Sequence, residues 1–225
     1  MKSLFERLCV CGLLAFVVTA LFLASSAHAG FDLQITEMWM GNDPGSNLSE
    51  DWFEITNFGD TSWTTADGNL YMDDDSADTG DAAIMTGITS IAPGETVVFV
   101  DESTSSDWST LWTPEVTLPQ VGDYDGKGLG QGGDGVSLFI DNGGLSLIDY
   151  ELYPDASANG GQSWDVTLGA FSTVGNASGA VATIELNDEN QPAIGSPGST
   201  ASIPEPTSLV LVLSCGLGLL FIRKR

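Results

Sequence analysis

Asp51-Trp52-Phe53-Glu54-Ile55-Thr56-Asn57-Phe58-Gly59-Asp60 is the stretch on which the fold turns. Successive side chains of an extended chain point to opposite faces, so Phe53 and Ile55 fall on one side and Trp52, Glu54 and Thr56 on the other. This predicts a strand over Trp52 to Phe58. On its N-terminal side, Phe31 to Met40 reads as another strand, with Leu33 and Ile35 on one face and Glu37 sharing the face of Ile35 and Trp39. On its C-terminal side come a short strand at Asn69 to Met72 and a segment from Ile84 to Ile91, followed by an Ala92-Pro93-Gly94 turn and a β-branched strand at Glu95 to Val100. Val136 to Ile140 and Leu145 to Tyr153 flank Asp141-Asn142-Gly143-Gly144, the clearest hairpin turn in the chain, and Val181 to Leu186 reads as the last strand. No stretch keeps a 3.6-residue apolar period. Many short strands joined by polar turns predict an all-β domain, a sandwich or a barrel.

The two ends of the chain carry a different pattern. Lys2 and Arg7 precede an apolar run from Leu8 to Leu23, and Ala27-His28-Ala29 is an A-x-A cleavage site, so residues 1–29 read as a secretory signal for signal peptidase and the export machinery. At the other end, Ser202-Ile203-Pro204-Glu205-Pro206 leads into an apolar run from Thr207 to Ile222 and a basic stop at Arg223-Lys224-Arg225. The run of 16 residues is shorter than the roughly 20 of a permanent span, which suits a transient membrane anchor. The basic stop predicts that residues 30 to about 202 lie across the membrane.

With both ends set aside, the composition changes. Cys9, Cys11, Cys215 and His28 all lie in them, so the domain has neither cysteine nor histidine. That excludes a Cys or His nucleophile, a His general base, a Ser-His-Asp triad, a structural zinc site and a disulfide. Of the 31 acidic residues only Glu6 and Glu205 lie outside residues 30–202, whereas Lys127 is the single basic residue inside them. Such a surface repels nucleic acid and anionic lipid and attracts cations. Six tryptophans, Trp39, Trp52, Trp63, Trp108, Trp112 and Trp164, together with the alternating strands, argue for a folded core over a disordered acidic segment. The length predicts one domain, residues 30–194, with Gly195 to Ser202 as a flexible spacer and residues 203–225 as the terminal signal.

Two resemblances follow from these residues. Pro204-Glu205-Pro206, the single apolar segment and Arg223-Lys224-Arg225 together resemble the PEP-CTERM sorting signal of Gram-negative bacteria. That resemblance implies recognition and cleavage by an inner-membrane exosortase and delivery to the cell surface or extracellular matrix. Leu33-Gln34-Ile35-Thr36-Glu37, the Asp51 to Asp60 stretch, Ile91-Ala92-Pro93-Gly94-Glu95, Gly133 to Asp141 with Ile148-Asp149-Tyr150, and Gly195-Ser196-Pro197-Gly198 resemble, in this order, the motifs of the lamin-tail domain. The implied fold is an immunoglobulin-like β-sandwich, with Glu37, Trp52, Glu54 and Asn57 as fold-signature residues. Insertions around Asp73 to Asp81 and Asp101 to Tyr124 depart from that family.

Three groups of residues are candidates for chemistry. Glu37 and Glu54, on strands expected to be neighbours, could serve as acid and base or hold a metal; alternatively each accepts hydrogen bonds from backbone or Trp donors at the rim of a sheet. Asp73, Asp75, Asp78 and Asp81 supply hard oxygens of the kind calcium takes, as do Asp123 and Asp125, although Lys127 stands where an EF-hand-like loop needs an oxygen ligand. Solvated acidic loops explain the same residues without a metal. Trp63, Trp108 and Trp112, placed in or beside loops, could stack on sugar rings. These features predict an exported, non-catalytic adhesion or matrix module, with divalent cations bridging it to extracellular polysaccharide and with no cofactor other than calcium. A secreted hydrolase using carboxylates alone and a surface-layer subunit are the alternatives.

Overall fold

A computed structural model describes residues 30–40, 51–101, 105–125, 128–186 and 192–201, which belong to one unit spanning His28–Ser202. The first strands are β1 (Leu33–Trp39), β2 (Trp52–Asn57), β3 (Trp63–Thr64), β4 (Asn69–Asp73), β5 (Ala83–Ile84), β6 (Ser90–Ile91) and β7 (Thr96–Asp101). A helix, α1 (Ser105–Trp112), leads to β8 (Gln120–Tyr124), β9 (Asp134–Asp141) and β10 (Leu145–Tyr153). The remainder is β11 (Trp164–Asp165), β12 (Ala170–Phe171), β13 (Val181–Leu186) and β14 (Pro192–Gly195). The domain is all-β, as its alternating segments predict. Its sheets run in the orders β12-β11-β1-β2-β7-β8 and β10-β9-β4-β5, with two further pairs, β13-β14 and β3-β6.

The main apolar core fills the space between the two larger sheets. Ile35, Phe53, Ile55 and Phe99 enter it from the six-stranded sheet and Leu70, Met72, Val136 and Leu138 from the four-stranded one. The margins of the sheets meet as well. Asp149 in β10 accepts the Ile35 amide of β1 at 2.6 Å, and Thr86 and Asp123 exchange backbone hydrogen bonds of 2.8 and 3.0 Å. Edge groups that would otherwise invite another chain are thereby occupied.

A second apolar cluster covers the opposite face of the six-stranded sheet. It joins Trp39, Trp52, Val98 and Val100 to Trp108, Leu111 and Trp112 of α1, with Ala193 of β14. The helix arises from topology. β7 and β8 are parallel, whereas the other strand pairs among the described residues are antiparallel, and a parallel pair needs a crossover of a dozen or more residues. Trp108, Leu111 and Trp112, three and four positions apart, give that crossover one apolar helical face. The insertion read as a departure from the family thus contains a packed element.

Three expectations change. Ile84 to Ile91 is not one segment of strand: β5 and β6 belong to different sheets, and Gly87 between them sits at φ +86°, a conformation that breaks a ladder. Val181 to Leu186 is followed by β14, so it is not the last strand. Residues 195–201 are no spacer either, because Ser196 and Pro197 are buried and the segment is bonded to the domain. The expected signals at residues 1–29 and 203–225, with Ala27, Ala29, Pro204, Glu205, Pro206, Arg223, Lys224 and Arg225, lie outside the described residues, among which no helix is long and apolar enough to cross a membrane.

Candidate functional site

The β1–β2 ladder contains one irregularity, and it builds the site. Ile35 faces Ile55, but Glu37 faces Glu54, so Thr36 and Glu37 together oppose a single residue of β2. A bulge of this kind shifts the alternation by one. Met38 therefore lies opposite Phe53 on the core side, and Glu37 joins Trp39, Trp52 and Glu54 on the other. The sequence expectation that Glu37 shares the face of Ile35 fails for this reason. Glu37 also faces Asp165 of β11, which aligns three carboxyl side chains in register across β11, β1 and β2.

This row lies in the interior of the sheet and is sealed. Glu37 is 1 % and Glu54 0 % exposed, since β14 and the residues after it close over them. Glu37 accepts hydrogen bonds from the Ser196 amide (3.0 and 3.1 Å to its two oxygens), from Ser196 Oγ (2.8 Å), from Ser172 Oγ (3.4 Å) and from Ser163 Oγ. Glu54 accepts from Thr36 Oγ1 at 2.8 Å and from the Gly198 amide at 2.7 Å. Asp165 turns to its own loop, accepting from Thr167 Oγ1 at 2.7 Å and the Leu168 amide at 3.0 Å. The donors are backbone amides, one of the two kinds expected, joined by hydroxyls in place of Trp, and they lie in the domain interior in place of a sheet rim.

The described residues contain no Lys, Arg or His, so none of them offers a cation to these carboxyl groups. Burial pushes Glu37 up to about 7, against the opposing effect of its Ser163 and Ser196 hydrogen bonds. Burial, followed by the charge on Glu37, raises Glu54 well above the usual carboxyl range. Two such acids side by side would suit proton transfer, yet every oxygen is occupied and no substrate can reach them. The pair acts on the protein itself: it fastens the C-terminal segment to the sheet.

Asn57, another signature residue, is saturated in a similar way. Its Oδ1 accepts from the amides of Asp32 and Gly59, each at 3.0 Å, while Nδ2 donates to the carbonyls of Thr61 and Ile91, each at 2.9 Å. It ties the ends of β1, β2 and β6 together. Trp52, the fourth signature residue, stacks parallel to Trp39 and meets Trp108 and Trp112 edge-on, with centroids 5.9–6.1 Å apart.

The acidic loops organise themselves. Asp73 is buried and accepts from Ser76 Oγ (2.7 Å) and the Asp78 amide (2.6 Å), whereas Asp75, Asp78 and Asp81 are exposed and do not join it in one cluster. Asp123 lies within β8, paired with Val100, and Asp125 is exposed at its end. Among the described residues no group of three His, Cys, Asp or Glu side chains is arranged to hold a metal ion. The sugar platform also fails: Trp63, Trp108 and Trp112 are 2 %, 3 % and 0 % exposed, because the supposed loop positions are a core strand and a packed helix. Sequence reading missed Ser163, Ser172 and Asp165 as partners of the pair. Ser196 stood within the quoted Gly-Ser-Pro-Gly, but nothing local linked it to Glu37. No protein-family model, curated protein or solved structure matches the chain.

Proposed function

We propose that this is a non-catalytic module of the cell surface or extracellular matrix, an immunoglobulin-like β-sandwich of the lamin-tail type. It would be exported through residues 1–29 and sorted through residues 203–225 by an exosortase. The observation that carries the non-catalytic part is the sealing of Glu37 and Glu54. Glu37 and Glu54 are spent on holding the C-terminal segment, which speaks against their use as the acid and base of a carboxylate hydrolase. What the domain offers to its surroundings is an acidic surface, and such a surface gathers divalent cations that bridge it to anionic polysaccharide.

The test uses the protein processed by its native host. Retention on an anionic polysaccharide matrix should require calcium and be lost with chelator; equal retention in both would remove the cation bridge. Mass measurement in wild-type and exosortase-deficient cells checks the sorting reading, since mature wild-type protein should lack Thr207 to Arg225.

A further inference from the structure

The closing segment, β14 and residues 196–201, belongs to neither of the larger sheets. It pairs with β13 and lies over the row of carboxyl groups. Glu37 holds it at Ser196 and Glu54 holds it at Gly198, so two acids from adjacent strands grip one stretch of three residues. Among the described residues, the other charged group paired across from them is Asp165 of β11, and β7 presents Val98 opposite Glu54. A proton is therefore the available means of neutralising the pair.

The surroundings have a place for that proton. Ser163 Oγ lies against Glu37, 2.8 Å from Ser172 Oγ and 3.3 Å from the Ile194 carbonyl, yet it has one hydrogen to give. A protonated Glu37 can donate to Ser163, which then donates onward to the Ile194 carbonyl of β14 itself. We propose that Glu37 and Glu54 form a proton-dependent latch on the closing segment, shut while the pair retains a proton and released locally when both groups ionise. Ionising both places two adjacent negative charges, with Asp165 beside them, under Ser196 and Gly198; the flanking residues are held separately, Ile194 by Gly161 and Ser163 and residues 199 and 201 by Ser178, so the release is confined to the stretch between them. Burial raises both groups above ordinary carboxyl values, so the opening comes at a higher pH than the titration of exposed carboxyl groups.

Hydrogen exchange of the full chain in mild detergent tests this, with each amide's rate divided by its intrinsic rate at that pH. Between about pH 6 and about pH 8.5, protection of the Ser196 and Gly198 amides should fall by roughly tenfold or more, while amides of β9 keep theirs. Glu37→Gln together with Glu54→Gln should abolish the pH dependence at those two amides. Constant protection at Ser196 and Gly198 in the unaltered protein, or a loss shared equally by β9, overturns the latch without recourse to the variants. The same fall in a folded double variant overturns it too.

Discussion

Replacing Asn57 with Asp changes one side-chain atom and reverses half of what that side chain does. Oδ1 keeps its two amide donors from Asp32 and Gly59, but the atom in the place of Nδ2 becomes an oxygen 2.9 Å from each of the Thr61 and Ile91 carbonyls. Two hydrogen bonds are lost, at about 1 kcal/mol each, and the Thr61 and Ile91 carbonyls then face a buried negative charge, which adds about as much again. The expected cost is about 3–5 kcal/mol at neutral pH, a large part of the stability of a domain of this size. In equilibrium urea unfolding followed by tryptophan fluorescence, the midpoint should fall by about 2 M. Protonation restores one donor. The folded-state pKa of the new carboxyl is therefore raised, and the variant should regain about 1–2 kcal/mol on going from about pH 7 to about pH 4, relative to Asn57→Ala. A loss under about 1 kcal/mol, or identical pH profiles for the Asp and Ala variants, would refute the reading of Asn57 as a saturated tie.

Four other outcomes are expected. Between about pH 6 and about pH 8, where ordinary carboxyl groups have finished titrating, the unaltered protein should lose about 1 kcal/mol as Glu37 gives up its proton, because a group raised from 4.5 to about 7 stabilises below the lower value and ceases to above the higher; differential scanning calorimetry of Glu37→Gln should show a flatter profile. Trp112→Ala, at a fully buried position against Trp52 and Trp108, should cost about 3–5 kcal/mol by urea unfolding. Gly195→Ala places a methyl group 3.1 Å from Glu37 Oε1 and 3.3 Å from Trp52 Cζ2, so a melting curve should show a loss of about 1–3 kcal/mol. Ala77→Gly should raise the melting temperature by up to about 3 °C, since Ala77 holds φ +51° in the acidic loop, a region where a side chain is penalised by about 1 kcal/mol.

Strand positions were legible because alternation is a local signal: β2, β4, β7, β9 and β10 all begin and end within one or two residues of where the pattern places them. What alternation does not reveal is which faces are covered. Alternation puts Trp52, Glu54 and Thr56 on the face away from Phe53 and Ile55 without saying what lies over it, and β2 is buried throughout because α1 and the closing segment pack on that side. The helix was concealed by its Ser, Asp and Thr residues, although Trp108, Leu111 and Trp112 are spaced for one. The bulge at Thr36 left no mark that a period of two could register. The partnership of Glu37 with Ser196 spans 159 positions, a distance over which no pattern in a single sequence speaks.

That span has a consequence for how the molecule comes to exist. A chain that emerges from a ribosome or a translocation channel does so from its N-terminus, so β1 and β2 are available long before Ser196 and Gly198 are. Until then Glu37 and Glu54 have no lid. They remain hydrated and charged, and Trp52 beside them lacks part of its cover. The six-stranded sheet therefore cannot complete its second face until almost the whole domain has been delivered. Closure of this face is timed by the stretch around Ser196 and Gly198, and a chain interrupted before it is left with two carboxylates uncovered beside Trp52, the kind of unfinished surface that exposes incomplete domains to misassembly.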